Sequence, residues 1–268
     1  MVRSALFLAL AALMPVAAPA EQLPEVVQRA EVLPGWRTPE GTHIAALHLT
    51  LAPGWKTYWR APGEAGIPPR FDWAGSENLA NVRMHWPRPQ LFELNGLTTV
   101  GYHDELILPL ELSPRNAAEP IVLMADVEMG VCNEVCIPVS LKLDAHLTAA
   151  AGGPDAAIRA ALTDKPETAA EAGVRDVRCA AEPIRDGMRL TASIDMPRLG
   201  ADEFAVIEAG DPTIWVAEAT SERAGGALTS VTDMVPSDAK PFAVDRSKLT
   251  ITVFGDAGRV VEISGCRG

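Results

Sequence analysis

Residues 121–143 read IVLMADVEMGVCNEVCIPVSLKL, and this stretch decides the predicted fold. Apolar and polar residues alternate on both sides of the two cysteines, which is typical of half-buried β-strands. Pro138 disfavours a helix that continues through Cys136, because proline lacks the backbone N–H that a helix interior needs. We therefore predict that Cys132 and Cys136 lie at the turn between two adjacent strands.

The same alternation recurs along most of the chain. Leu47, Leu49 and Leu51 mark one strand, and a second strand carries leucines at every other position from Leu106 to Leu112. Trp55 to Trp73, dense in aromatics, proline and glycine, is predicted to be an ordered loop. Further short strands are predicted over Met188–Met196, Phe204–Ala209, Thr213–Ala219, Leu228–Met234, Leu249–Phe254 and Val260–Ile263. The fold class predicted is all-β, with two sandwich domains joined by a short helical linker.

The domain boundaries follow from composition. Residues 1–20 are predicted to be a signal peptide, with Arg3 before an apolar run and Ala18-Pro19-Ala20 as the cleavage site. The chain is then expected to be exported, without a membrane span in the mature protein. Residues 21–148 form the first domain and 174–268 the second. The linker, residues 149–173, is expected to contain a short helix that Asp155 caps.

Charge and cysteine content narrow the class of protein. The formal net charge is −12, which argues against nucleic acid as a partner, because nucleic acid binding needs a basic surface. The four cysteines are an even number, and an exported protein can form two disulfides. Cys179 and Cys266 bracket the second block. A structural bridge between them would stabilise the fold by on the order of 4 kcal/mol.

Cys132 and Cys136 are separated by only three residues and predict a different role. A bridge over so short a loop constrains the unfolded chain little. Short-loop disulfides are often strained and therefore exchangeable, which favours a redox function. The acidic Glu134 between the cysteines disfavours a strongly activated thiolate. A purely structural bridge is the alternative that spacing alone leaves open, as is a non-redox interaction module.

Copper binding is the third alternative for this pair. The Cys-x-x-x-Cys-x-Pro pattern also resembles copper-delivery proteins of the Sco type, and thioethers from Met124 and Met129 would suit Cu(I). Those proteins, however, carry a helix after the first cysteine, which Pro138 does not allow here. The five histidines are scattered singly, so no metal site is assigned.

Residues Leu33 to Leu147 resemble the N-terminal periplasmic (alpha) domain of DsbD and the related ScsB proteins. The motifs that carry the resemblance are Gly54-Trp55-Lys56-Thr57-Tyr58-Trp59-Arg60, Pro62-Gly63-Glu64-Ala65-Gly66-Ile67-Pro68-Pro69, Phe71-Asp72-Trp73, Trp86-Pro87, Gly101-Tyr102, Leu106-Ile107-Leu108-Pro109 and Val131-Cys132-Asn133-Glu134-Val135-Cys136-Ile137-Pro138. Their order and spacing together are specific, although no single motif is. The chain departs from DsbD in its shorter cysteine spacing and in its second β block.

The resemblance implies an immunoglobulin-like sandwich that relays electrons by thiol–disulfide interchange. Cys136 would form the mixed disulfide with a partner, and Cys132 would resolve it. Phe92 or Leu94, in the segment from Leu91 to Gly96, would form a cap over the sulfurs. Tyr58 and Trp55 match aromatic positions that line the family's active-site pocket.

The partners implied are thioredoxin-like redox proteins and a separate membrane electron-transfer protein. The activity would be that of a thiol:disulfide oxidoreductase of the electron-relay type, which needs no cofactor. The link to ScsB also suggests a role in copper tolerance. Trp55 and Trp59 are expected to border the disulfide and to present a docking face.

Overall fold

A computed structural model describes residues 23–94, 96–149, 153 and 155–268 of the chain. The predicted signal peptide, residues 1–20, lies outside the described residues. Strands make up 55% of the structure and helices 5%. Among the described residues the strand pairings are antiparallel, apart from one short parallel pair, Glu167–Thr168 with Val261–Glu262, and one isolated parallel bridge between Arg178 and Arg267. The prediction of an all-β protein built from immunoglobulin-like sandwiches is confirmed.

Two sheets form the first block. Its strands are β1 Val27–Arg37, β2 His43–Leu51, β3 Lys56–Tyr58, β4 Arg70–Asp72, β5 Leu79–Met84, β6 Gln90–Leu94, β7 Leu97–His103, β8 Glu105–Pro114, β9 Ile121–Cys132 and β10 Cys136–Leu147. One sheet has the order β1-β2-β8-β5, and the other has the order β10-β9-β3-β7-β6, with β4 also paired to β9. The facing sides of the two sheets share one hydrophobic core.

The alternation in sequence explains which side of each strand faces this core. Leu108 and Leu110 of β8 are 1% and 0% exposed, and Leu123 and Val127 of β9 are 0% and 1% exposed. Burying each such side chain contributes about 1.5–3 kcal/mol to stability. The strands predicted from the leucines of β2 and β8 and from residues 121–143 are therefore confirmed.

The segment from Trp55 to Trp73 differs from its prediction, because it contains the strands β3 and β4. Each is only three residues long, too short to show an alternating pattern. The strand β3 forms because it lies between two longer strands, with Lys56 paired to Cys132 of β9 and to His103 of β7. This central position places β3 next to the cysteines.

A helix follows the first block. The helix α1, Ala156–Thr163, begins after Asp155, whose carboxylate accepts hydrogen bonds from the backbone N–H groups of Ala157 and Ile158. The predicted cap is thus confirmed. Ile158 is fully buried against Ile44 on the outer side of the β1-β2-β8-β5 sheet. The helix therefore packs on the first block rather than standing free as a spacer.

The second block is also built of two sheets. Its strands are β11 Glu167–Thr168, β12 Asp176–Ile184, β13 Gly187–Asp195, β14 Phe204–Glu208, β15 Ile214–Val216, β16 Thr220–Ala224, β17 Ala227–Pro236, β18 Thr250–Phe254 and β19 Val260–Ser264, with a short 3-10 turn at Asp256–Gly258. The sheet orders are β11-β19-β18-β14 and β12-β13-β17-β15, with β16 also paired to β17. Each of the six stretches that were predicted as strands in this block contains a strand of the structure. The strands β11, β12 and β16 were not predicted: β11 has only two residues, and β12 buries only Cys179 and so shows no alternation.

The two blocks touch through their cores. Among the described residues, no sheet contains strands from both blocks, yet Phe254 and Val260 belong to the hydrophobic cluster of the first block. A disulfide joins Cys179 of β12 to Cys266, just after β19, with 5.8 Å between the Cα atoms. The exact domain boundaries stay predictions.

Candidate functional site

The tip of the β9–β10 hairpin carries a disulfide. Cys132 ends β9, Cys136 begins β10, and the two residues are directly paired across the hairpin. Paired residues of antiparallel strands point to the same side of the sheet, so the two sulfurs meet, with 4.1 Å between the Cα atoms. The loop between them is closed by the N–H of Asn133, which donates to the carbonyl oxygen of Val135 at 3.0 Å. The predicted position at a turn between adjacent strands is confirmed.

The two cysteines differ sharply in exposure. Cys132 is 1% exposed, whereas Cys136 is exposed at the start of β10. The neighbouring Val135 is 63% exposed and adds apolar surface beside Cys136. Thiol–disulfide exchange requires the attacking thiolate to reach the sulfur that it attacks. Access to this disulfide from solvent is therefore through Cys136.

Tyr58 of β3 contacts both sulfurs. Its hydroxyl donates a hydrogen bond to the Sγ of Cys132 at 3.0 Å and lies 3.4 Å from the Sγ of Cys136. The tyrosine is 3% exposed, and this burial raises the pKa of the Tyr58 phenol. The hydroxyl accordingly remains protonated and available as a donor at neutral pH.

A glycine on β9 makes room for the tyrosine ring. A Cβ atom at Gly130 would lie 3.1 Å from Cε2 of Tyr58 and 2.9 Å from Cβ of Ile67. Both distances are tight for a carbon contact, so a larger residue would displace the Tyr58 ring or the Ile67 side chain. The sequence reasoning did not single out Gly130. Its position two residues before Cys132, on the same side of β9, was the available signal.

Lys56 is a second residue of the site that sequence reasoning did not identify. It is paired with Cys132 across the β3–β9 ladder, and its Nζ donates to Oγ1 of Thr99 at 2.9 Å. The ammonium lies 6.0 Å from the centroid of the Tyr58 ring and 4.8 Å from that of Phe92. Burial lowers the pKa of Lys56. The site thus holds one ammonium on the same side of the sheet as the disulfide.

Residues Leu91 to Leu94 of the predicted cap segment lie in β6, which pairs with β7. Phe92 is half-buried, and its ring lies 6.1 Å from that of His103 as well as over the Lys56 ammonium. The Lys56 ammonium therefore lies near both the Phe92 ring and the Tyr58 ring. The side chain of Leu94 lies outside the described part of the chain. The assignment of Phe92 or Leu94 as a cap stays a prediction.

The two tryptophans beside Tyr58 have different surroundings. Trp55 is half-buried and packs against the core of the first block. Trp59 is 0% exposed, so the expectation that it forms a docking face is wrong. The reason is that consecutive side chains of an extended strand point to opposite sides, so a residue next to Tyr58 turns away from the sulfurs.

The thioethers that would support a copper site lie elsewhere. Met129 is 8% exposed and belongs to the hydrophobic core of the first block. Met124 lies eight residues before Cys132 on β9, roughly 26 Å along an extended strand, and its Sδ is near Gly75. Among the described residues, no group of three or more histidine, cysteine, aspartate or glutamate side chains is arranged to hold a metal ion. The reduced cysteines alone would offer two soft sulfur ligands.

Comparison with known proteins agrees with this geometry. The family model described as "Thiol:disulfide interchange protein DsbD, N-terminal" matches residues 25–148. Among solved structures, the N-terminal periplasmic domain of ScsB from Proteus mirabilis is similar, with 23% sequence identity and a TM-score of 0.63. The similarity covers 89% of this chain and 91% of that chain, so the shared fold includes both blocks. No curated protein sequence matches the chain. Within the described residues, no helix has the length and apolar character needed to cross a bilayer.

Proposed function

Because residues 25–148 belong to the family of the N-terminal domain of the thiol:disulfide interchange protein DsbD, we propose that Cys132 and Cys136 form a reversible disulfide that relays electrons. The observation that carries this proposal is the asymmetry of the pair. Cys136 is open to a partner, while Cys132 is buried beneath it and hydrogen bonded to Tyr58. A bridge with a purely structural role has no need of an accessible sulfur.

The first step is attack on the exposed sulfur. A thiolate of a reduced partner attacks the Sγ of Cys136, a new bond forms between the two sulfurs, and the Cys132–Cys136 bond breaks. Cys132 leaves as a thiolate. The Tyr58 hydroxyl, 3.0 Å away, donates to the sulfur on which this negative charge develops.

The second step releases the partner. A second thiolate of the partner attacks the partner's own sulfur in the mixed disulfide, and Cys136 leaves as a thiolate. The partner dithiol has then become a disulfide, and Cys132 and Cys136 have gained two electrons and, at neutral pH, two protons. The reduced pair passes the same electrons to a client by the reverse sequence, in which Cys136 attacks the client disulfide and Cys132 resolves the mixed disulfide.

The partners and location follow from the same assignment. We propose that the protein is exported to the periplasm by residues 1–20 and receives electrons from a separate membrane protein. The clients would be periplasmic proteins of the thioredoxin type. The exposed Val135 beside Cys136 supplies apolar surface on which a partner could dock.

The test is a redox titration with each cysteine assigned. The mature protein is equilibrated across a graded dithiol buffer, alkylated, and analysed by peptide mass spectrometry. We expect Cys132 and Cys136 to titrate together between roughly −300 and −120 mV. Cys179 and Cys266 serve as an internal control and are expected to stay oxidised.

Two results would contradict the proposal. If both disulfides stay oxidised until the protein unfolds, the Cys132–Cys136 bond is structural. If Cys132 and Cys136 are instead free thiols that bind Cu(I) stoichiometrically and do not form a bond, copper delivery is the better assignment.

A further inference from the structure

Three consecutive residues connect the disulfide to the second block. Tyr58 contacts both sulfurs of the Cys132–Cys136 pair. The side chains of the next two residues, Trp59 and Arg60, contact the second block instead. The chain that leaves β3 is therefore held at one end by the sulfurs and at the other by the second block.

Arg60 forms the polar part of this connection. Its Nε and Nη2 donate to the two carboxylate oxygens of Glu208 in β14, both at 2.9 Å, and Nη2 also donates to Glu262 of β19 at 2.6 Å. Burial alone would lower the pKa of Arg60, but the hydrogen bonds and charges of the two glutamates raise it. The guanidinium thus stays charged, and its planar fork fixes the direction of the side chain as well as its position.

Trp59 forms the apolar part. Its indole is 0% exposed and lies edge-to-face with Phe254 of β18, with 6.2 Å between ring centroids. The guanidinium carbon of Arg60 lies 4.2 Å from the centroid of the same indole. The indole is enclosed between a residue of the second block and the arginine that binds that block, so it has little freedom to rotate.

The polar and apolar contacts have a consequence for the neighbouring Tyr58. A hydrogen bond weakens steeply as its distance and angle depart from the optimum, so the Tyr58 hydroxyl is useful only while β3 keeps its place. The strand β3 has just three residues, and its pairing covers three residues of β7 and two residues of β9. The contacts made by Trp59 and Arg60 supply a constraint that so short a strand lacks.

We propose that the second block acts on the disulfide through this connection: Trp59 and Arg60 are positioning residues that hold the Tyr58 hydroxyl against the Cys132 sulfur during exchange. This inference rests on the proposed function of the pair. It assigns to the second block a role in the chemistry of a disulfide that lies entirely in the first block. The alternative is that Arg60 merely contributes to the stability of the whole molecule.

A double-mutant cycle separates these two roles. Arg60→Lys keeps the positive charge but loses the bidentate bond, and Tyr58→Phe removes the hydroxyl. The rate at which dithiothreitol reduces Cys132–Cys136 is measured for the full mature chain, the two single variants and the double variant, with alkylation and mass spectrometry as the readout. Arg189→Lys is the matched control, because Arg189 makes a similar bidentate pair with Asp233 within the second block, at 2.7 and 2.9 Å.

If Arg60 acts through Tyr58, Arg60→Lys slows reduction about threefold to tenfold when Tyr58 is present and less than about twofold when it is replaced. Arg189→Lys leaves the rate unchanged in both backgrounds. Equal slowing with and without Tyr58 would overturn the inference, as would unchanged rates in a folded Arg60→Lys protein. Should Arg60→Lys fail to fold, judged by its thermal unfolding curve, Glu208→Gln weakens the same pair and takes its place in the cycle.

The cycle also distinguishes failure of this inference from failure of the proposed function. If dithiothreitol does not reduce the pair in the folded wild-type protein, the relay function fails and the inference fails with it. If the wild-type pair exchanges but the cycle is additive, only the role of Arg60 is overturned.

Discussion

The hydroxyl of Tyr58 donates a hydrogen bond to the buried Sγ of Cys132 at 3.0 Å, across two neighbouring strands. Cys132 is the sulfur that must leave when a partner attacks the exposed Cys136. The donor is therefore aimed at the atom on which negative charge develops. Its contribution should grow during the reaction, because hydrogen bonds to charged acceptors are stronger than those to neutral ones.

Replacing Tyr58 by phenylalanine should slow exchange without unfolding the protein. A hydrogen bond to a charged group contributes about 1.5–3 kcal/mol, so reduction of the pair by dithiothreitol is expected to slow by about tenfold or more. The measurement is the reduction rate of Cys132–Cys136 at fixed pH. Tyr102→Phe is the matched control, since the Tyr102 hydroxyl donates to the carbonyl oxygen of Pro87 and not to a sulfur. Equal slowing in both variants would mean that the effect is not specific to the sulfur contact.

The two cysteines should behave differently when either is replaced by serine. In Cys132→Ser the remaining thiol is the exposed Cys136, which should form a stable mixed disulfide with oxidised glutathione because no resolving thiol is left. In Cys136→Ser the remaining thiol is the buried Cys132. This thiol should react with iodoacetamide at least about tenfold more slowly than the Cys136 thiol of Cys132→Ser does, because it is shielded. Intact-mass analysis over time gives both rates. Similar reactivity of the two single variants would contradict the assignment of Cys136 as the attacked sulfur.

Replacing Lys56 by methionine should impair exchange without lowering stability. The ammonium lies on the side of the sheet that carries the disulfide, so its loss removes a positive charge that favours thiolates. Because burial disfavours the charged form of Lys56, as its lowered pKa indicates, an apolar side chain of similar length should be tolerated there. We expect the pH profile of the alkylation rate of the reduced pair to shift to higher pH. Lys142→Met, at an exposed position of β10, should leave the profile unchanged.

The ion pair between Glu203 and Arg223 in the second block should make stability depend on pH. The two side chains are only 3% and 7% exposed. Burial would raise the pKa of Glu203, but hydrogen bonds from Arg223 and from the backbone of Leu199 outweigh it and lower the pKa. The stability from this pair is present above the ordinary glutamate pKa and is lost as pH falls through the lowered value, because the unfolded chain binds the proton first.

The Glu203→Gln variant tests this dependence. Removing one partner of a buried ion pair costs about 3–5 kcal/mol. Urea denaturation of the oxidised protein at pH 7 should show this loss, and the gap between wild type and variant should narrow as the pH is lowered. A gap that stays constant down to pH 3 would contradict the assigned pKa shift.

The amino-acid sequence by itself determined the local features of this protein. Alternating apolar residues predicted β2, β8, β9 and β10, because the two-residue period of a strand is a property of a short stretch of chain. The Cys132–Cys136 turn and the Asp155 helix cap were predictable for the same reason. Tyr58 was reached through resemblance to a known family, and β3, on which it lies, was taken for a loop.

Only the tertiary structure decided which side chains surround the disulfide. Tyr58 and Cys132 are 74 residues apart, and Arg60 and Glu208 are 148 apart. No local pattern encodes such pairs, because they depend on the order β9-β3-β7 in one sheet and on how the second block packs against the chain after β3. Lys56 and Gly130 become part of the site for the same reason. Their roles come from the strand that lies beside them, and strand order is the outcome of burying the whole core at once.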